Sequence, residues 1–389
     1  MLTTTAFIRA TITNFFFFAS LNGYVLLPLH IQALGGTEVE IGIVMGIYSG
    51  VGILCQPLVG PWVDAVGRKP FMVLGVGLVA LSSLIAVLVP AVGVLALVRA
   101  VQGVGFSAFF VANFSYVIDL VPPARRGWAL GIYGVSGLAS TALAPLLGEW
   151  IIRRFGFRPL FVVSLMLALV AMALVHGVRE HRRGEQPPVR GVEWLREGLV
   201  DVFQRHMTVA VFFGLGSGTV FAFLPTFAEA LGVTTLALFY TAYAGAAMVV
   251  RVFGGRLIDT RGRRAVIVPS MFVQAGAAAI LAGVAAAVTR TSRVPVAPFL
   301  AVAGLLSGGA HGFVYPGLAA LVADRAPEAR RAAVVGVFSA VFLVGQTAGA
   351  FAFGYVAHAL GYAALWTILT SLLVLGSLLS FGLAGERAA

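Results

Sequence analysis

Apolar positions in this chain do not alternate with polar ones at the strand or the helix period. They run on for about 20 residues at a time, the length a helix needs to cross a hydrocarbon core of about 30 Å, and stop at short clusters of Gly, Pro, Asp, Arg or Lys. In lipid a helix satisfies its own backbone hydrogen bonds, so runs of this length predict membrane-spanning helices. Reading between breaks places them over 7–29, 40–62, 70–89, 93–118, 128–149 and 157–177, then over 207–229, 236–257, 265–287, 297–322, 332–356 and 361–383. The first run continues past Pro28 without a small-residue cleavage site, so it is expected to remain as helix 1 rather than act as a signal peptide. The pattern thus predicts units over 1–177 and 207–389, joined by a polar linker over 178–206.

Composition agrees with lipid as the solvent. The chain is 60% hydrophobic and 11% charged, where a soluble domain carries roughly 25% charged residues. The net charge of +11 could indicate a nucleic-acid partner, but its distribution points elsewhere. Of the 26 Lys and Arg, eighteen fall in segments on one side of the predicted topology and five on the other. The positive-inside rule then expects both termini in the cytoplasm and no nucleic acid as partner. Cys55 is the single cysteine, which excludes an intramolecular disulfide and a multi-cysteine metal or redox site.

The two units are related. Gly60, Asp64, Gly67, Arg68 and Lys69 recur as Gly255, Asp259, Gly262, Arg263 and Arg264 at an offset of 195. Gly103, Asp119, Arg125, Arg126, Gly131 and Gly156 recur as Gly308, Asp324, Arg330, Arg331, Gly336 and Gly361 at an offset of 205. A six-helix unit is used twice. In the linker, Trp194, Leu195, Leu199, Val202 and Phe203 share one side of a helix, with Arg196, Glu197, Asp201 and Arg205 opposite. That pattern suits an interfacial amphipathic helix or one packed on neighbouring loops.

On these residues the chain resembles the major facilitator superfamily. GPWVDAVGRKP between helices 2 and 3 is similar to that family's signature loop, and GGRLIDTRGRR repeats it between helices 8 and 9. Arg99-Ala-Val-Gln102-Gly103-Val-Gly105 resembles a helix-4 motif common in its antiporters. The helix-5 pattern of the family's exporters is met in part: Gly131, Pro145 and Gly148 match, whereas Ser140, Ala144 and Glu149 stand where Gly is usual. The resemblance implies an all-α membrane protein of twelve transmembrane helices in two pseudo-symmetric six-helix bundles. It also implies a substrate site near the midplane, with helices 1, 4, 7 and 10 lining the cavity. A gate at the cytoplasmic face follows from it too: Arg68 pairing with Asp119, Arg263 with Asp324, and Asp64 and Asp259 meeting helix ends across the interface where Gly60 and Gly255 allow close approach.

Polar residues inside the spans supply the candidate site. An Arg near a helix centre costs about 2.5 to 3.5 kcal/mol on insertion scales, so Arg99 is expected to face the bundle for a functional reason. Gln102, Phe106 and Asn113 follow it at helical spacing. Helix 10 has Gly304 and Ser307 at the matching positions and His311 where Phe106 stands, with Tyr315 one turn on. An imidazole titrates near neutral pH and can bind substrate or carry a proton. Each of the 15 acidic residues lies in a predicted loop or at a helix end, so a mid-membrane carboxylate relay is not expected. Helix 1 offers Asn14 and Asn22 in the place where drug exporters of the family carry such an acid, which disfavours cationic substrates. No nucleophile triad, metal-spaced His/Cys cluster or Walker loop is present, so neither an enzyme nor a cofactor is expected.

The sequence therefore predicts a monomeric secondary transporter of the cell inner membrane. It is expected to export a small amphipathic, neutral or anionic solute by alternating access, with proton antiport as one form of coupling. Import or uniport of a metabolite, and lipid translocation on the same fold, are the alternatives.

Overall fold

In the computed structural model, residues 5–89, 91–120, 126–178, 205–233, 237–254, 257, 261–288, 295–325 and 331–383 are described. The first span begins as α1 (Thr5–Asn22), passes through a 3-10 turn (Gly23–Leu26) and continues as α2 (Leu27–Ala33). Pro28 lies in the first turn of α2, where its missing N–H costs least. Then come α3 (Glu38–Val66), α4 (Arg68–Leu88), α5 (Val92–Leu120), α6 (Arg126–Phe155) and α7 (Phe157–His176). The second half holds α8 (Arg205–Ala230), α9 (Ala237–Phe253), α10 (Arg263–Val288), α11 (Val296–Arg325) and α12 (Arg331–Ser380). A capping box starts α3: Thr37 accepts from Glu40 N–H, and the Glu40 carboxylate accepts from Thr37 N–H.

Among the described residues ten helices are long and apolar enough to cross a membrane, and Ala237–Phe253 is a shorter apolar one. One of the ten, Phe338–Ser380, is twice a span's length and is divided at Gly361, where φ is 78°. Counting that helix as two crossings and adding α9 gives twelve. The largest shift of a predicted end is in span 5, which continues to Phe155 rather than 149; span 2 runs on to Val66 rather than 62. The linker and its amphipathic helix lie outside the described residues.

Packing shows the internal repeat in detail. Gly67 and Gly262 turn the chain between their paired helices at φ 112° and 80°, and Gly156 does at φ 84° what Gly361 does in the second half. Only glycine adopts that backbone without strain. Lys69 Nζ donates to the carbonyl of His176 (2.8 Å), closing the end of α7, and Arg264 donates to the carbonyl of Phe381 (2.7 Å) at the end of α12. These are the same offsets, 195 and 205, read from the sequence. Cations at helix C-termini satisfy orphan carbonyls and oppose the helix dipole.

The halves meet along two seams, α3 against α12 and α6 against α9. At the Glu38 end the first seam is backbone against backbone: a methyl on Gly42 would collide with the carbonyl oxygen of Ala350, and one on Gly354 would sit 2.8 Å from that of Glu38. Glu38 also pairs with His358 at 3.2 Å. On the second seam the Glu149 carboxylate accepts from the N–H of Ala237 (2.7 Å), the first residue of α9, while Arg153 bridges Glu149 (3.1 Å) and Glu229 (3.3 Å). Glu149 is 7% exposed and sits inside α6, not at a helix end as the sequence reading had it. A helix N-terminus is a favourable place for that carboxylate. Glu149→Gln is expected to leave each half folded but to weaken this clasp, raising the population with the Glu38 end open. Spin-label distances between the loops after α6 and before α9 would check it; unchanged distributions would show that the clasp is incidental.

Candidate functional site

Between the seams lies a cavity of about 750 Å³, within the usual range of roughly 300 to 1,000 Å³ for small-molecule sites. Its lining comes from the first span, α5, α8 and α11, and equally from α3, α6, α9 and α12. The expected set of helices 1, 4, 7 and 10 was therefore too narrow, because the seam helices also face inward where the halves part. The lining residues extend from Arg99 near one end of α5 down to Phe114 and Tyr315, toward the Arg68 end.

Arg99 occupies the second turn of α5 and is 7% exposed. Its Nη1 donates to Gln102 Oε1 (2.9 Å), and its guanidinium carbon lies 4.1 Å from the centre of the Tyr48 ring. Such a cation–π contact is worth about 0.5 to 2 kcal/mol. Nε has no hydrogen-bond partner, and no carboxylate approaches the group among the described residues. Below it, Phe106, Phe110 and Phe114 repeat at one-turn spacing and stack at 5.3 and 5.6 Å, forming an aromatic wall. Gln102 and Asn113, which the sequence placed beside Arg99, do not line the cavity. Gln102 is fully buried behind Arg99 and orients it, and Asn113 Nδ2 donates to Tyr133 Oη at 3.0 Å.

Asn14 and Asn22 line the cavity, but their side chains are engaged. Tyr133 Oη donates to Asn14 Oδ1 (2.6 Å), Asn14 Nδ2 donates to Ser136 (2.9 Å), and Asn22 Nδ2 donates to Ser140 (2.8 Å) and Thr141 (3.1 Å). These bonds tie the first span to α6. In the second half His311 lies within 5.6 Å of the rings of Phe213 and Tyr243 and stacks on Tyr315 at 5.9 Å with 10° between planes. His311 and Tyr315 both line the cavity.

A profile of the Major Facilitator Superfamily matches residues 10–294 and 207–388, which together cover nearly the whole chain. The chain belongs to the major facilitator superfamily. Relatives of this facilitator include the inner membrane transport protein YajR of Escherichia coli, 35% identical over 140 residues, covering 36% of this chain and 30% of that protein. Multidrug resistance protein 3 of Bacillus subtilis is 27% identical over 139 residues, 36% of this chain and 27% of that one. The matches thus span about a third or less of the length of these relatives. The solved structure of the nucleoside transporter NupG superposes with a TM-score of 0.81 at 13% identity, over 97% of this chain and 99% of the other. At that identity it shows the shared fold.

Of the residues expected to form a cytoplasmic gate, Arg68 Nε lies 3.2 Å from Asp119 Oδ2, with both side chains largely buried at the end of α3, α4 and α5. Arg68 also reaches the carbonyl of Val63 at 3.4 Å. No atom would approach a Cβ on Gly60 within 4 Å. Arg263 opens α10. Gly255, Asp259 and the side chains of Asp64 and Asp324 lie outside the described residues. The sequence reading missed Arg251. That residue lines the cavity from α9, its Nη1 2.9 Å from where a Cβ of Gly134 in the opposite half would stand, and its Nε has no hydrogen-bond partner. The insertion-cost argument applied to Arg99 was available for Arg251, which falls inside the predicted span 236–257. Tyr48 carried no such signal, since nothing in the sequence places it under Arg99.

Proposed function

We propose that this facilitator is a monomeric secondary transporter of the cell inner membrane. It would export a small amphipathic, neutral or anionic solute through the cavity between its halves, with both termini in the cytoplasm. The observation that carries the reading is the cavity itself: enclosed by both halves, aromatic on both sides and free of carboxylates among its described lining residues. A cavity with few hydrogen-bonding groups suits amphipathic solutes better than free sugars. Contact of the halves at the Glu38 end, with the lining continuing toward the basic Arg68 end, fits a state facing the cytoplasm. Relatives named as multidrug resistance proteins support export. On the same reading Arg68 with Asp119, and Arg263 with Asp324, belong to the cytoplasmic gate together with Asp64 and Asp259. Uptake of a metabolite is the second reading, supported by the whole-chain likeness of fold to NupG.

Thermal stabilisation of the purified protein by members of a metabolite and drug library, followed by flux of the hits in proteoliposomes at two pH values, tests the proposal. If no hit moves across the bilayer, the transport reading fails. Proton antiport needs a group in the cavity that can take up and release a proton, and among the described lining residues His311 supplies the imidazole. His311→Phe, which copies Phe106 of the other half, is expected to flatten the dependence of flux on an imposed pH gradient. A dependence equal to that of the unaltered protein would make His311 part of the cavity wall alone.

A further inference from the structure

We infer that the substrate is an organic anion and that Arg99 and Arg251 together select it, one guanidinium from each half of the carrier. The inference rests on the transport reading above and names its substrate class. Among the 34 residues that line the cavity these two carry the formal charges, and both are positive. Neither has a carboxylate within ion-pair distance among the described residues, and the Nε of each is without a hydrogen-bond partner. The neutral groups beside them do not discharge them. Arg99 has one side-chain acceptor, Gln102, and the face of Tyr48. Arg251 has the phenols of Tyr243 and Tyr315 within electrostatic reach.

Two uncompensated guanidiniums facing an aromatic cavity disfavour cationic solutes. An anion relieves the cost of each, because a buried charge is tolerated when paired and hydrogen-bonded. A guanidinium also presents a planar fork of donors that matches a carboxylate, sulfonate or phosphate. Between the two charges, Phe106, Phe110 and Phe114 on one side and Tyr243, His311 and Tyr315 on the other offer ring faces. The ligand class that fits is therefore an aromatic or amphipathic anion whose acidic groups meet the guanidiniums. Since the two cations belong to opposite halves, the ligand draws together the walls that the empty cavity holds apart.

The test uses carboxyfluorescein as an aromatic polyanion and ethidium as an aromatic cation, each measured for binding to the purified full chain in nanodiscs and for flux in proteoliposomes. Carboxyfluorescein is expected to bind and move, ethidium to do neither. Arg99→Gln and Arg251→Gln are each expected to weaken carboxyfluorescein binding at least tenfold, with Arg251→Lys recovering part of the loss. Should a Gln variant fail to fold, the Lys variants and the comparison of the two probes on the unaltered protein still decide. Ethidium flux without carboxyfluorescein flux overturns the anion assignment and leaves the transport reading standing. Carboxyfluorescein bound through both arginines but never carried supports the site and sinks transport. Binding of the anion that ignores both substitutions overturns the inference.

Discussion

Arg99→Ala is expected to reduce flux to under about a tenth while the protein still inserts, purifies as a monodisperse species and melts at or above the temperature of the unaltered chain. The magnitudes decide the sign on stability. Removing the guanidinium recovers at most about 2.5 to 3.5 kcal/mol, the insertion cost of an Arg at a helix centre, because Arg99 stands in the second turn of α5, and the lost cation–π contact with Tyr48 takes back about 0.5 to 2 kcal/mol. Gln102 and Tyr48 hold the guanidinium at the cavity wall, where the proposed role in binding would account for its cost. Full flux in the Ala variant, with the fold intact, would refute the role; Arg99→Lys, keeping charge without the planar fork, should fall between.

Gly308→Val should have the opposite profile, with loss of folded protein rather than loss of transport from a folded one. In α11 a methyl at Gly308 would collide with the backbone carbonyl of Tyr243 in α9, and Gly103 stands in the same relation to Tyr48 of α3, where the distance would be 2.6 Å. Close helix approach through small residues drives association in lipid. A branched side chain there demands movement of a whole helix, which should exceed the typical overpacking cost of about 1 to 3 kcal/mol. Gly309→Ala, one residue on, meets nothing within 4 Å and serves as the control. Fluorescence-detected size-exclusion profiles would separate the two; a normal profile for Gly308→Val would show that the α9–α11 contact is loose.

The Gly103 and Gly308 pair also shows how far the sequence could be read. Their constant offset, with that of Gly67 and Gly262, revealed the duplicated unit before any coordinates, because an internal repeat leaves its mark wherever only glycine fits. Span positions were legible because lipid demands long apolar runs. The cavity was legible only in part. Arg99, His311 and Tyr315 stood out as polar or titratable groups in apolar runs, and they do line it. Helical spacing misdirected Gln102 and Asn113, since a spacing argument gives the face of a helix but not which part of that face a neighbour covers. Tyr133, from α6, takes up Asn113. Arg251 was passed over although it falls inside a predicted span, and Glu149 was read as the end of its helix because its partner, the first N–H of α9, is invisible without the opposite half.

The seal at the Glu38 end is made of Gly42 against Ala350, Gly46 against Phe351 and Gly354 against Glu38, together with the clasp of Glu149 on the start of α9. In an energised membrane most of the voltage drops across such a layer, because the cavity beyond it shares the electrical potential of the compartment it faces. Arg99 and Arg251 then sit at that potential, and moving the seal to the other end transfers both charges to the potential of the opposite compartment. Each elementary charge moved through 100 mV amounts to about 2.3 kcal/mol, so the pair contributes about 4.6 kcal/mol, more than a thousandfold in the ratio of the two states at about 1.4 kcal/mol per decade. The empty carrier should therefore behave as a voltage sensor with two gating charges, readable as a transient current in protein-loaded membranes, and a bound dianion should silence it.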